Sequence, residues 1–319
     1  MGDYSVTDFV DKDFIRGMDC IDLIPVMLGE QTVLIPVAIL EGRAPGKTLL
    51  VTGGMDGDEY AGIEAAYELI ARYRSGNFSG RLVVVPLVNV PGYNAGTSKN
   101  PMDNQFPKFI FPGDAFGKPT HQLVDWLVRK CVAGADAWYD LHGGASDEGL
   151  NPFLWTYRTG SKQLKQYTRE LEQQTSFQTI VSERPWWLTK QERLGKRGCW
   201  YVLAESGARG EVMPEDVEQH VLGVESAMRV LGMLTKQAVV PVEREKYRQV
   251  VVLSAPFDGV WHGKILSSHA VKKGDILGYV SHTPDAIKHP VISPKTGVRL
   301  WWKETQSMEC TDVLCAIGY

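Results

Sequence analysis

The chain lacks the features that mark membrane and nucleic-acid-binding proteins. No apolar run approaches the ~18 residues of a membrane-spanning helix, and the first eight residues have neither a basic nor an apolar segment of the secretory kind. No stretch is rich in lysine or arginine, and the net charge is −4. We therefore expect a cytoplasmic protein with no membrane partner and no nucleic-acid partner.

Motifs of covalent and phosphoryl chemistry are also missing. The sequence has no Gly-x-Ser-x-Gly around a nucleophilic serine and no Gly-x4-Gly-Lys-Ser/Thr phosphate loop. Its five cysteines are scattered, without a Cys-x-x-Cys pair, which indicates idle thiols in a reducing compartment. These absences favour chemistry that uses metal-activated water.

The order of apolar runs predicts the fold class. Short apolar runs alternate with helical patterns through the first three quarters of the 319 residues, as in an α/β protein with a mainly parallel mixed sheet flanked by helices. After residue 245 the helical periodicity ends, and short β runs are divided by Gly and Pro. We expect two domains, residues 1–245 and a small all-β domain at 246–319.

The C-terminal β pattern resembles the biotinyl/lipoyl-type β-barrel. Two similar turns, beginning at Ala255 and Ser293, flank the segment Val271-Lys-Lys-Gly-Asp-Ile-Leu-Gly. The attachment lysine of carrier domains is not recognisable there. We interpret the module as a structural or lid domain. The pairs Trp186-Trp187 and Trp301-Trp302 are expected either to wall a pocket or to lie in a core or interface.

The strongest functional signal combines a glycine-rich acidic turn with a later histidine. Asp56 and Glu59 lie in Gly-Gly-Met-Asp-Gly-Asp-Glu, and His142 lies in Tyr-Asp-Leu-His-Gly-Gly, about eighty residues further on. Two acids at this spacing can bind one metal ion from a turn, and a histidine at another strand end can complete the site. Glu205, also after a buried strand, is the expected general base that takes a proton from water, although a salt bridge to Arg197 or Arg209 is an alternative.

These motifs resemble the succinylglutamate desuccinylase/aspartoacylase branch of the zinc carboxypeptidase family. The resemblance covers nearly the whole chain and assigns the metal-ligand positions to Asp56, Glu59 and His142 and the base to Glu205. The family's Phe-Pro-Gly is present at 111–113. Two departures stand out. The first ligand is Asp instead of His, and the Asn-Arg pair that holds substrate in the family falls on Lys108 and Phe109.

Further polar residues are candidates for binding substrate or supporting the metal. Lys108 would replace the lost arginine as a point charge, unless it is simply a solvated loop lysine. Asn89 and Arg158 are further substrate-binding candidates. Asp58 is expected to be a supporting acceptor that orients His142 or the turn.

The leading hypothesis is a metal-dependent hydrolase that cleaves the amide of a small N-acyl amino acid or N-acyl amine. One divalent ion is expected as cofactor. Zinc is the first choice, and Mn²⁺, Fe²⁺ or Co²⁺ are alternatives because a second carboxylate ligand favours harder ions. The competing hypothesis is a catalytically altered or non-catalytic relative that binds a small molecule. Relatives suggest a homo-oligomer, but no interface pattern indicates one.

Overall fold

The computed structural model describes residues 20–184, 189–235, 243–264, 266, 268–284 and 286–319. Trp186 and Trp187, named above as pocket or core residues, lie outside the described residues. The described chain contains a nine-stranded mixed sheet with helices on both faces, followed by two smaller β-sheets. This arrangement confirms the predicted α/β class and the all-β character of the C-terminal part.

The strand order of the large sheet is β1-β2-β4-β3-β5-β9-β7-β8-β10, with β6 outside it. Of the eight neighbouring pairs in this sheet as described, five are parallel. The strands are β1 (Ile21–Leu28), β2 (Gln31–Glu41), β3 (Ala44–Thr52), β4 (Ser79–Val85), β5 (Ala137–His142), β6 (Glu148–Leu150), β7 (Phe153–Tyr157), β8 (Thr179–Glu183), β9 (Trp200–Glu205) and β10 (Glu245–Tyr247).

The helices begin where the sequence supplies local signals. The hydroxyl of Ser161 accepts a hydrogen bond from the Leu164 amide and caps the fourth helix, and Pro214 occupies the first turn of the sixth. None of the helices in the described part of the chain could cross a membrane. They are α1 (Tyr60–Tyr73), α2 (Val90–Ala95), α3 (Pro119–Lys130), α4 (Lys162–Gln174), α5 (Lys190–Lys196) and α6 (Pro214–Val230).

Two apolar layers enclose the large sheet. In β3, Leu49 and Val51 pack into the layer that contains α1 and α6, whereas Leu50 packs into the opposite layer with α3. All three side chains are fully buried. A strand covered on both faces has no reason to alternate apolar with polar residues, which explains the unbroken apolar run in the sequence.

The C-terminal part forms a sheet of order β11-β18-β16-β13 and a second of order β15-β14-β12-β17. Strand β6, from the first part of the chain, pairs with β16, and the Trp301 ring stacks on Phe153 of β7 at 6.0 Å. The biotinyl/lipoyl likeness and the boundary at residue 245 remain predictions. The strands are β11 (Val250–Ser254), β12 (Gly259–Gly263), β13 (Ala270–Val271), β14 (Ile276–Ser281), β15 (His289–Ile292), β16 (Gly297–Lys303), β17 (Ser307–Met308) and β18 (Val313–Gly318).

The acidic turn between β3 and α1 packs directly against the backbone of α2. A Cβ atom on Gly57 would lie 2.3 Å from Gly92 C and 2.3 Å from Tyr93 N. Because these are backbone atoms, they cannot move aside as a flexible side chain could. Glycine at position 57 therefore lets the turn that carries Asp56 and Glu59 pack closely against α2.

We predict that Gly57→Ala lowers the free energy of unfolding by about 1–3 kcal/mol, the usual cost of overpacking a closed interior. The matched control is Gly134→Ala, since a Cβ atom there meets nothing within 4 Å. That variant should change stability by less than about 0.5 kcal/mol. Urea unfolding of both variants measures the difference, and equal effects would contradict the packing argument.

Candidate metal centre

The three sequence-predicted ligand residues converge in the structure. Asp56, Glu59 and His142 each offer one ligand atom, and these atoms all lie within 4.8 Å of one another. His142 Nδ1 lies 2.9 Å from Glu59 Oε2 and 4.0 Å from Asp56 Oδ2. The three side chains are buried, with exposed fractions of 0%, 4% and 1% for Asp56, Glu59 and His142. Two acids and an imidazole thus share one enclosed space.

The topology of the sheet accounts for this convergence. Asp56 and Glu59 follow β3, Glu59 directly precedes α1, and His142 is the last residue of β5. Because β3 and β5 are parallel neighbours, their carboxyl ends meet at the same edge of the sheet. A turn from one strand and the end of the next therefore place all three side chains together.

Asp140 supports the imidazole from behind, and the sequence analysis missed this residue. Its Oδ2 lies 3.5 Å from His142 Nε2 and accepts a hydrogen bond of 2.7 Å from the Tyr201 hydroxyl. Its Oδ1 accepts a 2.6 Å bond from the Thr52 hydroxyl, and the Lys190 ammonium lies 3.4 Å from Oδ2. A carboxylate on the far ring nitrogen leaves Nδ1 facing Glu59 and Asp56. The sequence does contain a signal for Asp140, because residues two apart in one strand, such as Asp140 and His142, project from the same face.

Glu205 lies beside the cluster. It pairs in register with His142 across the parallel strands β5 and β9. Paired positions on neighbouring strands lie about 5 Å apart and project from the same face of the sheet. Loss of hydration raises the pKa of Glu205 well above its usual value, although the positive charge of His142 opposes the shift. Glu205 therefore lies beside His142 with its pKa raised.

Two further charged residues lie near the site, and only Lys108 was predicted to belong to it. The Lys108 ammonium forms an ion pair with Asp56 Oδ2. Glu148, at the start of β6, was not predicted. Burial raises its pKa, and the nearby Lys108 charge lowers it. Nothing in the sequence around Glu148 marks it, since its approach depends on where β6 pairs with the C-terminal sheet.

The electrostatics of the cluster reflect burial of several acids in one place. Loss of hydration raises the pKa of Asp56 to about 7, against the opposing charge of Lys108. Burial would lower the pKa of His142, but the charges of Glu59 and Asp140 raise it well above the ordinary value. The site therefore attracts positive charge strongly.

The residues present fit a divalent cation. Carboxylate oxygens and an imidazole nitrogen are common ligands of Zn²⁺ and of the harder first-row ions. Asp56 Oδ1 is buried and has no hydrogen-bond partner among the described residues, so a buried acceptor atom is left unsatisfied. Asp56, Glu59 and His142 would hold such an ion, with Asp140 supporting the histidine.

Two of the predicted supporting residues form hydrogen bonds within the protein. Asn89 is fully buried and caps α2: its Oδ1 accepts from the Gly92 amide, and its Nδ2 donates to the Ser98 carbonyl. Both polar atoms of Asn89 thus form hydrogen bonds within the protein, and its role in binding substrate stays a prediction. Asp58 accepts hydrogen bonds from Ser98 and Ser146, so it ties the turn to two loops, while Asp140 is the carboxylate behind His142.

Arg158, which was predicted to bind substrate, lies away from the three ligand residues, and its role stays a prediction. Strand β7 runs antiparallel to β9, with Phe153 opposite Glu205 and Thr156 opposite Val202. Arg158 therefore lies at the opposite edge of the sheet, about 16 Å from Glu205 at ~3.3 Å per residue. There it contacts Ser182 and Glu172 and lines a separate cavity of about 540 Å³.

Comparison with known proteins places this fold and site in one family. A family model described as the succinylglutamate desuccinylase/aspartoacylase catalytic domain matches residues 45–231, more than half of the chain. The chain belongs to this family, as its motifs indicated.

Individual relatives agree with this membership. The N-alpha-acetyl-L-2,4-diaminobutyric acid deacetylase of Halomonas elongata is 32% identical over 222 residues, which are 67% of this chain and 63% of that protein. The match thus spans less than two thirds of the relative. The product-bound structure of the ectoine utilization protein EutE (DoeB) from Ruegeria pomeroyi superimposes with a TM-score of 0.81 at 22% identity, covering 93% of this chain and 94% of that one.

A second solved structure shows the same fold. The succinylglutamate desuccinylase/aspartoacylase from Rhodobacter sphaeroides has a TM-score of 0.80 at 21% identity and covers 94% of both chains. At this level of sequence identity, structural similarity shows a shared fold alone. Because it extends over nearly the whole chain, the C-terminal β-sheets belong to the shared architecture.

A buried histidine on α6 supports the segment that follows Glu205. His220 is fully buried, and its Nε2 lies 3.1 Å from the Ser206 carbonyl oxygen, to which it donates. Burial lowers the pKa of His220 to about 4, below the ordinary value of 6.5. A group with a depressed folded-state pKa contributes stability above its unfolded pKa, and this contribution is lost as pH falls toward the folded value.

We therefore predict that His220→Gln flattens the pH dependence of stability in the acidic range. Between pH 7.5 and pH 5 the parent should lose about 2 kcal/mol of unfolding free energy more than the variant, because its neutral imidazole becomes charged on unfolding. Urea unfolding of both proteins at several pH values measures this. Parallel curves for parent and variant would show that His220 does not carry the effect.

Proposed function

We propose that this chain is a metal-dependent hydrolase that cleaves the amide bond of a small N-acyl amino acid or N-acyl amine. The observation that carries the proposal is the convergence of Asp56, Glu59 and His142 with Glu205 in register beside the histidine. The named activities of the relatives support the substrate class. The H. elongata relative is a deacetylase of an N-acetylated amino acid, and the family is named for two deacylases.

A divalent ion bound by Asp56, Glu59 and His142 would supply Lewis acidity that polarises the amide carbonyl and makes water more acidic. Zinc is the proposed ion, and Mn²⁺, Fe²⁺ or Co²⁺ are the alternatives. In this proposal Asp140 fixes the ring of His142, and Glu205 accepts a proton from the attacking water and passes it to the leaving amine. Loss of hydration raises the pKa of Glu205, which favours its later role as the proton donor.

One observation favours a second candidate function. The buried Asp56 carboxylate has an internal cation partner in Lys108. A protein with this pair in place of a metal would keep the fold and the enclosed space but bind a small molecule without hydrolysing it. The proposed localisation in the cytoplasm and a homo-oligomeric state are compatible with either function.

Metal analysis with a substrate screen separates the two candidates. Protein purified without chelators is analysed for bound metals and then assayed for amine release from N-acetyl-2,4-diaminobutyrate, N-acetylaspartate, N-succinylglutamate and an N-acetylated diamine. Near-stoichiometric metal and turnover of at least one substrate support the hydrolase. Metal-free protein that binds one of these compounds without turnover, even after zinc addition, supports the non-catalytic alternative.

We predict that Glu205→Gln lowers kcat for the best substrate by about 10²–10⁴-fold while bound metal per chain stays unchanged, because the amide cannot take up the proton. Glu211→Gln is the matched control, as this side chain is exposed. It should keep parental turnover. Parental kcat in Glu205→Gln would refute the assignment of the base.

Removal of metal should abolish the reaction reversibly. Dialysis against a strong chelator is expected to reduce turnover to the detection limit, and one equivalent of zinc should restore it. Glu59→Gln removes a ligand charge and should lower zinc affinity by at least about tenfold, measured by calorimetric titration. Full activity after verified metal removal would exclude the metal-dependent mechanism.

A further inference from the structure

Lys108 extends from the loop that follows α2 into the buried acidic cluster. It lies on a single 3-10 turn, Pro107–Phe109, and its Nζ forms an ion pair with Asp56 Oδ2. The Lys108 side chain is 30% exposed, whereas the Asp56 side chain is 0% exposed. The lysine therefore enters from the open side of the site and places its charge on an otherwise enclosed carboxylate.

Aromatic rings hold this ammonium from the loop side. Lys108 Nζ lies 5.3 Å from the centre of the Phe106 ring and 5.5 Å from that of Phe109. Contacts at this distance between a cation and a ring face are attractive. Lys108 is thus positioned by its own turn on one side and by Asp56 on the other.

The oxygen that Lys108 contacts is the Asp56 atom that faces the histidine. Asp56 Oδ2 lies 4.0 Å from His142 Nδ1, the ring nitrogen directed at Glu59. An ion bound by Asp56 and His142 could use either carboxylate oxygen of Asp56. On either oxygen it would lie within a few ångströms of the Lys108 ammonium, and in a buried site with little screening the two cations repel strongly. The Lys108 charge therefore opposes a divalent ion at Asp56.

We propose that Lys108 is a tethered cation that competes with the divalent metal for Asp56 and so weakens metal binding. This inference rests on the proposed function, because it concerns the same metal site. The residue type at position 56 matters for this competition. The Asp56 carboxylate forms an ion pair with Lys108, whereas a neutral histidine would not. Metal binding in this chain then works against the charge of the Lys108–Asp56 ion pair.

The test is a calorimetric titration of chelator-treated full-length protein with zinc chloride. Lys108→Met and Lys108→Gln remove the competing charge and should each lower the Kd for zinc by at least about tenfold. Lys108→Arg keeps the charge and should stay within about threefold of the parent. Two neutral variants are used so that one unstable variant does not decide the result, and circular dichroism verifies folding.

Lys99→Met is the matched control. Lys99 Nζ lies 5.3 Å from the same Phe106 ring, and within the described part of the chain it forms no ion pair with Asp56. Its removal should leave the zinc Kd unchanged. A lower Kd for zinc would also show how the Lys108 substitutions act, because disruption of the loop alone would loosen the site and raise the Kd.

The remaining outcomes overturn the proposal in distinguishable ways. If zinc binds the parent and both neutral variants with the same Kd, Lys108 does not compete, and the metal-dependent function stands. If zinc binds neither the parent nor either folded neutral variant, the competition and the proposed metal-dependent function both fail. Weaker binding in the neutral variants would show that Lys108 supports the site instead of opposing the ion.

Discussion

The buried carboxylate of Asp56 is the constraint on which the rest of the site depends. An isolated charge in a protein interior is costly, so a buried acid must be neutralised or held beside a cation. Asp56 is fully buried next to a second acid, Glu59, which adds to the cost. The acidic turn, the loop that carries Lys108 and the end of β5 that carries His142 all meet at this carboxylate. Lys108 and His142 supply the positive charge that the carboxylate requires.

The charges around Asp56 are arranged in two layers. Nearest to it are Glu59, His142 and Lys108, and behind the histidine Asp140 is balanced by Lys190. A ligand set with two carboxylates neutralises a divalent ion more completely than one with a single carboxylate, which makes water on the ion less acidic. The positive charge of Lys108 has the opposite effect on the acidity of that water, because it offsets part of the negative charge of Asp56. The two departures from the family pattern, at positions 56 and 108, are therefore electrostatically linked.

The sequence was sufficient where local signals decide structure. The apolar runs of β3, β5 and β9 revealed strands buried on both faces, and parallel packing of such strands brings their carboxyl ends together. The sequence alone therefore predicts that one edge of the sheet carries Asp56, Glu59, His142 and Glu205. The position of Arg158 could not be predicted, because nothing in the chain around Asn151 shows that β7 reverses direction relative to β9. The capping role of Asn89 could not be predicted either, because a helix-capping asparagine and a substrate-binding one look alike without the loop around them.

The C-terminal sheets act on the site through a short strand that sequence patterns do not show. Strand β6 follows the loop after His142 and pairs with β16, with Glu148 opposite Lys303. This pairing fixes Glu148, whose charge interacts with Lys108. Loss of hydration lowers the pKa of Lys108, but the negative charges of Asp56, Glu59 and Glu148 all raise it. The β-rich module therefore contributes to the electrostatics of the centre through the strand that carries Glu148.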